Sequence, residues 1–191
     1  MKTLFGAGIL MLFSAVGHAG QTPVQEQSAS APPESTQFGQ LVGQWRIKDF
    51  MLDQDGNWQA GNGADWNFYW ILGGTAIQDD WIAPPMSVAA PDTGRQLGTN
   101  IRIYNPKQQR WEMAWASNTG AKVDTFSAVE TDGQLLMRGL FNGVDSQIIF
   151  YDITADHFSW KLQRILEGSD QWVDVYRIEA DRVRDTKGEK Q

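Results

Sequence analysis

The 191-residue chain contains no cysteine and only two histidines, His18 and His157. Without cysteine there can be no disulfide, no thiol nucleophile and no lipoprotein cysteine behind an export signal. His18 lies in an apolar N-terminal leader, so removal of that leader leaves His157 alone. Zinc sites commonly draw on several His or Cys ligands, and a nucleophilic triad needs a partnered imidazole. We therefore expect no metal site and no nucleophilic triad.

Basic residues are also scarce, with 16 Lys and Arg against 23 Asp and Glu. Loss of residues 1–19 removes one Lys and no acid, which leaves 15 basic residues, 23 acidic residues and a charge of −8. A phosphate backbone would be repelled, so nucleic acid is not an expected partner. Beyond the leader, no stretch is long and apolar enough to span a bilayer as a helix. We expect no integral membrane segment in the mature chain.

The leader itself has the layout of a secretory signal peptide. A single Lys precedes a mostly apolar stretch from Leu4 to Val16, and the small residues Gly17 and Ala19 follow. The apolar run is shorter than the ~20 residues that cross a bilayer. We predict a signal peptide over 1–19, cleaved after Ala19 or alternatively after Gly17, and a periplasmic or secreted protein.

The segments at the two ends of the mature chain are poor in apolar side chains. Residues 20–37 contain three prolines and only one large aliphatic side chain, that of Val24. This composition predicts a disordered linker. Residues 181–191 are almost wholly polar and predict a frayed tail. The single folded domain is expected to span 38–180.

Within that domain, turn residues recur at short intervals and separate runs with a period of two. Trp66/Phe68/Trp70 and Trp111/Met113/Trp115 are such runs, and none shows a sustained helical period. Short connections favour an antiparallel meander, and closure would remove its exposed edges. We predict an all-β, closed, up-and-down barrel of about ten strands, near 43–52, 64–71, 75–82, 97–104, 110–117, 123–130, 134–141, 146–152, 157–166 and 171–179.

The first strand opens with Leu41-Val42-Gly43-Gln44-Trp45, and this Gly-x-Trp resembles the first strand of the lipocalins and their calycin relatives. The chain is similar over most of 38–180 to a group of bacterial lipocalin-like domains of unknown function, with Leu72-Gly73-Gly74 and Tyr176-Arg177 among the matching residues. The resemblance implies a calycin-type barrel in which Trp45 plugs the closed end and Arg177 packs across it.

The same resemblance implies no catalytic signature and no settled activity. The haem-binding nitrobindins are similar in shape, but their first-strand motif continues past the Trp with further Gly residues and a Pro. Residues 46–53 contain neither. We therefore expect no haem and no other cofactor.

Candidate ligand contacts come from strand phase and from the nine tryptophans. If Trp45 points inward, so does Asp49, and Arg164 is in phase with Trp160. Aromatic-lined cavities hold apolar ligands, and a few polar groups orient them. Each of these side chains has a plainer reading as barrel packing or as a polar residue near a wet mouth. The candidate ligand-binding residues are Asp49, Gln78, Asp80, Trp111, Trp115, Trp160 and Arg164.

Three functions follow from this pattern. The leading hypothesis is an exported barrel that binds a small, largely apolar molecule in its interior, as a carrier or sensor without chemistry. The first alternative is a filled barrel that acts as a protein-interaction module. The second is a lyase or isomerase that uses an interior carboxylate, whose pKa burial would raise. Binding without catalysis is favoured, and the oligomeric state is left open.

Overall fold

The computed structural model describes residues 25–168 and 170–184. The predicted signal peptide, the first residues of the predicted linker and most of the predicted tail lie outside these ranges. Among the residues that are described, no helix has the length and apolar character needed to cross a membrane.

Strands account for most of these ranges, and their bounds follow the sequence prediction closely. The ten predicted strands are all present, together with a three-residue strand that was too short to show a period. The elements are a helix α1 (Ser35–Gly39) and the strands β1 (Gly43–Leu52), β2 (Trp58–Ala60), β3 (Ala64–Ile71), β4 (Ala76–Ala83), β5 (Gln96–Asn105), β6 (Arg110–Ser117), β7 (Val123–Thr131), β8 (Gln134–Phe141), β9 (Val144–Tyr151), β10 (His157–Ile165) and β11 (Trp172–Arg182).

The sheet closes on itself. From β3 to β11 each strand pairs antiparallel with the next, and β1 pairs with β3 on one side and β11 on the other. Closure places Trp45 opposite Arg182 and Met51 opposite Tyr176. The extra strand β2 pairs only with the end of β1. The predicted closed up-and-down barrel of ten strands is confirmed.

Alternation within strands directs a dense aromatic core into the barrel. In β3, Ala64, Trp66, Phe68 and Trp70 are buried, whereas the residues between them are half-buried. The Trp66 ring centroid lies 4.8 Å from that of Phe68. Further rings from other strands surround Trp66 within 6.5 Å, namely those of Trp81, Phe150, Phe158 and Trp160.

The prediction of a disordered linker over 20–37 is wrong for its described part. The backbone N–H of Ser28 donates to the carbonyl of Gly74 at 2.9 Å, and Gln25 forms a bridge with Trp70. Ser35 is fully buried. The segment has few apolar side chains of its own, but the barrel end offers it hydrogen-bond partners, which composition alone does not reveal.

The predicted tail also begins too early. Residues 181 and 182 belong to β11, and Arg182 is half-buried with several partners at the barrel end. Arg182 is held here because the Trp45 ring of β1 and the backbone carbonyls of Gln40 and Val42 bind its guanidinium.

Candidate ligand-binding cavity

One end of the barrel is plugged by the segment that precedes β1. Phe38, from α1, and Leu41 have no exposed surface, and Trp45 is 1% exposed. The indole N–H of Trp45 donates to the carbonyl of Leu41 at 2.7 Å, which ties the plug to the first strand. The Phe38 ring meets the Trp111 ring edge-on at 4.9 Å. This end is called the closed end below.

The cation that packs across Trp45 is Arg182, so the expectation for Arg177 is wrong. The Arg182 guanidinium lies 4.1 Å from the Trp45 ring centroid and donates to the carbonyls of Val42 at 2.7 Å and Gln40 at 2.9 Å. Arg177 has the opposite strand phase, is exposed, and lies over the Trp58 ring at 4.2 Å.

Gly43 explains the first position of the Gly-x-Trp opening. A Cβ at Gly43 would lie 2.2 Å from a guanidinium nitrogen of Arg182, and its φ of +137° is one that other residues rarely adopt. The glycine therefore makes room for the cation that covers Trp45.

Next to the closed end, the barrel contains a buried ion pair. Arg102 and Asp79 are 1% and 0% exposed, and their side chains are hydrogen-bonded. The guanidinium also lies between the rings of Phe38 and Phe68, at 5.2 and 5.1 Å. Burial raises the pKa of Asp79, and the charge of Arg102 offsets part of that rise. The buried charges of Arg102 and Asp79 are thus stabilised by their mutual ion pair, and that of Arg102 also by the two aromatic rings.

A cavity of about 660 Å³ extends from this ion pair toward the open end of the barrel. Its wall is mostly apolar and aromatic, and it reaches the exposed side chains of Met51 and Leu166 at the barrel mouth. Polar side chains are few, and they include Asn100, Arg102 and Arg164. The aromatic side chains of the wall are Trp66, Trp81, Trp115, Phe126, Phe141, Phe150, Trp160 and Tyr176.

Three of the seven candidate residues line this cavity: Trp115, Trp160 and Arg164. The Trp115 ring lies directly over the backbone of Gly98, where an added Cβ would come within 2.1 Å of the ring. Gly98 is required here for close approach. The small residue on β5 therefore determines where the aromatic wall of β6 can lie.

Asp49 is half-buried and does not line the cavity. One carboxylate oxygen accepts from the Tyr176 hydroxyl at 2.6 Å, and the other accepts from the backbone N–H of Gly63 at 2.8 Å. Burial is the main cause of the raised pKa of Tyr176, and its hydrogen bond to Asp49 adds to it. Asp49 thus positions a tyrosine of the cavity wall and holds the loop that leads into β3.

The other three candidates lie elsewhere. Gln78 donates to the Thr99 hydroxyl at 3.0 Å and Asp80 accepts from the Tyr69 hydroxyl at 3.0 Å, both outside the barrel. They are out of phase with the buried Ile77, Asp79 and Trp81 of β4, so the inward carboxylate of this strand is Asp79.

Trp111 is a closed-end core residue. It is 1% exposed, and its indole N–H donates to the side-chain oxygen of Gln37 at 2.9 Å. His157 pairs with Glu179 at 3.1 Å and Asp181 at 3.2 Å on β11. Within 25–168 and 170–184, no group of three or more His, Asp or Glu residues is arranged to hold a metal ion.

The long connection between β4 and β5 lies at the mouth of the barrel, and hydrogen bonds near its two ends hold it in place. Arg95 donates to the carbonyls of Pro84 at 2.9 Å and Val88 at 2.5 Å. The backbone N–H of Met86 donates to Asp65 at 2.8 Å, while the Met86 side chain is 65% exposed. The apolar side chains of Met86 and Val88 on this loop are exposed.

Sequence reasoning missed Asn100, Arg102 and Tyr176. Asn100 and Arg102 alternate with the exposed Ile101 and Ile103, so the polar residues of β5 face inward and the aliphatic ones outward. This inversion reverses the usual expectation for a half-buried strand. The signal available was Gly98, which is in phase with Asn100 and Arg102.

Comparison with known proteins shows the fold. No family model and no curated protein matches the chain. An S-type phycobiliprotein lyase, CPES from Guillardia theta, is similar with a TM-score of 0.55 and 8% identity over 78% of this chain and 92% of that one. Rv2717c from M. tuberculosis is similar with a TM-score of 0.56 and 13% identity over 81% of this chain and 100% of that one. The fold of the chain is that of a lipocalin-like, calycin-type barrel, which is the fold that the resemblance of its Gly-x-Trp opening implies.

Proposed function

We propose that this protein binds a small, largely apolar molecule inside its barrel, as a carrier or sensor. The observation that supports this function is the cavity of about 660 Å³, open at one end and plugged at the other. Small-molecule sites commonly enclose about 300 to 1,000 Å³ and combine apolar walls with a few polar groups. The wall described above has this composition.

The aromatic part of the wall suits a flat or apolar occupant. Trp66, Trp115 and Trp160 come from three different strands, so an occupant would meet ring faces and edges from several sides. Aromatic side chains provide large contact areas and favour offset or edge-on ring contacts. Release of water from such a wall favours binding in proportion to the apolar area covered.

We also propose that the protein is exported. The signal-peptide layout supports a mature chain that begins at Gly20 and acts in the periplasm or outside the cell. N-terminal sequencing of protein from fractionated cells tests this part. Recovery of an intact Met1 in the cytoplasmic fraction would contradict it.

The two alternatives make different demands on the interior. An interaction module with a filled barrel needs a solid core, and the cavity argues against it. A lyase or isomerase needs a carboxylate that reaches the substrate, and neither Asp49 nor Asp79 lines the cavity. One structural neighbour is named a lyase, but a likeness at 8% identity extends to the fold alone.

Phenylnaphthylamine, an uncharged dye that fluoresces in apolar sites, provides the test. We expect saturable binding to the full mature chain with quenching of tryptophan emission. Trp115→Ala should weaken binding roughly tenfold through loss of one aromatic contact. Val175→Trp should abolish it by filling the space at the mouth. Trp58→Ala is the matched control, because Trp58 stacks on Arg177 outside the barrel.

All three variants are checked for a folded barrel by circular dichroism and thermal unfolding. The proposal fails if the folded wild-type protein shows no saturable binding, or if Val175→Trp binds the dye as well as wild type does.

A further inference from the structure

We infer that the occupant of this cavity is an organic anion, with an apolar body and one acidic group that binds Arg164. The inference rests on the proposed function, because it names the class of ligand for the same cavity. It depends on how the charges inside the barrel are matched.

Arg164 is a cation in the cavity wall without a counter-ion. It is half-buried near the mouth end of β10, and its Nε is buried without a hydrogen-bond partner. Among the described residues, no carboxylate oxygen lies within 4.0 Å of its guanidinium. A guanidinium stays charged at any physiological pH.

The inward-facing carboxylates are already engaged. Asp79 is bound by Arg102, and Asp124 lies 2.9 Å from Lys122. Asp49 accepts from Tyr176 and Gly63. These carboxylates therefore have partners, whereas Arg164, which lines the mostly apolar cavity, has no counter-ion.

A buried amide adds a second polar contact. Asn100 lines the cavity and is 5% exposed, and its side-chain oxygen has no hydrogen-bond partner. A buried acceptor without a donor is costly, as is a partly buried charge without a counter-charge. An occupant that carries an acidic group for Arg164 and a hydrogen-bond donor for Asn100 would relieve both.

The apolar wall strengthens the interaction with an anion. Hydrogen bonds between ionised partners are about twice as strong as neutral ones, and a low local dielectric increases the attraction. The mature chain carries a predicted net charge of −8, which disfavours any anion at long range. A preference for anions must therefore come from the cavity itself.

Two dyes that share one ring system separate charge from shape. Anilinonaphthalene sulfonate is phenylnaphthylamine with an added sulfonate, so the difference in their dissociation constants isolates the acidic group. We expect the sulfonate to bind roughly ten- to a hundredfold more tightly, the range for a charge-assisted hydrogen bond. Arg164→Met should remove that advantage and leave binding of the uncharged dye within about twofold, and Arg164→Lys should restore part of it.

Arg184→Met is the matched control. It removes the same charge at an exposed site paired with Asp156, far from the mouth, and should leave both dyes unchanged. Displacement of the bound sulfonate by dodecanoate, but not by dodecanol, would extend the preference from dyes to aliphatic acids.

The outcomes separate this inference from the proposed function. Equal affinity for both dyes, or a sulfonate advantage that survives Arg164→Met, overturns the anion inference while the cavity remains a binding site. Failure of both dyes to bind the folded protein overturns the proposed function and this inference with it.

Discussion

At the closed end of the barrel the indoles of two buried tryptophans have protein partners, whereas two polar groups of the cavity wall do not. The indoles of Trp45 and Trp111 donate to Leu41 and Gln37. In the cavity wall, the Nε of Arg164 and the side-chain oxygen of Asn100 have none. Buried polar groups are normally satisfied, so these unsatisfied groups in the cavity wall support the proposed binding site.

If the protein binds a ligand as proposed, this contrast assigns stability to the closed end and ligand binding to the open end. Well-packed, fully bonded side chains tolerate substitution poorly, whereas a site that keeps space and unmet polar groups gives up some stability for function. Substitutions at the closed end should therefore lower the free energy of unfolding more than substitutions at the open end do.

The largest effect is expected at Trp45. Trp45→Ala should lower the free energy of unfolding by ~3 to 5 kcal/mol, the usual cost of emptying a large buried aromatic site. Arg182→Ala should cost less, and the double variant should cost less than the sum because the two residues are in contact. Urea unfolding measures all three.

Arg177→Ala is the control for this experiment. Arg177 is exposed, so its loss should change stability by no more than about 0.5 kcal/mol and should add to the effect of Trp45→Ala. Coupling of Trp45 to Arg177 instead of Arg182 would contradict the closed-end geometry.

A comparable loss is expected at the boundary between the two ends. Asp79→Leu leaves the Arg102 charge buried among rings and should cost about 3 to 5 kcal/mol. The double variant Asp79→Leu/Arg102→Met removes both charges and should recover most of that loss. Unfolding curves that show no recovery would mean that the pair contributes a specific geometry which apolar side chains do not replace.

A smaller effect is expected at the mouth. Gly98→Ala pushes against the Trp115 ring and should cost about 1 to 3 kcal/mol, as overpacking does. In a Trp115→Ala background the conflict is absent, so the same substitution should cost little. Equal costs in both backgrounds would show that the ring does not limit this position.

The smallest effect concerns the ionisation of the tyrosines, which changes the stability of the fold only at alkaline pH. Burial raises the pKa of Tyr69 to about 12, and its hydrogen bond to Asp80 contributes. A group whose pKa is raised on folding stabilises the fold fully below its unfolded pKa, near 10 for tyrosine, and this stability is lost as pH rises through the folded pKa. Stability should therefore fall between about pH 10 and 12.

Tyr69→Phe should make that alkaline decline shallower. Ultraviolet absorbance during a pH titration should show tyrosinate forming later than in a denatured control, and Tyr176, with its pKa raised further, should ionise last. An ordinary titration near pH 10 in the folded protein would contradict the burial of these hydroxyls.

Local sequence signals predicted the strands well, because a turn or a period of two is decided by neighbours in the chain. The bounds of β1, β3, β6 and β8 agree with the prediction. The three-residue β2 was missed since so short a run shows no period. The ordered segment before α1 was missed since its hydrogen bonds go to residues distant in sequence.

The candidate site was predicted less well, because strand phase decides it and adjacent residues differ in phase. Two neighbouring aspartates in β4 fit the same polar pattern, yet Asp79 lies inside and Asp80 outside. A shift of one residue moves every side chain of a strand to the other face. Trp115, Trp160 and Arg164 were found because their own runs of aromatic residues fixed the phase.

The sequence by itself determined the closed all-β barrel and the richness of the interior in aromatic side chains, since these depend on local period, turn chemistry and composition. The plug at Trp45 was implied by the resemblance of the Gly-x-Trp opening to the lipocalins. Only the tertiary structure decided that Arg182 and not Arg177 covers Trp45, that Arg102 is neutralised by Asp79, and that Arg164 is not neutralised. Which charges meet depends on the register between strands far apart in the chain, and the barrel sets that register when its first and last strands pair.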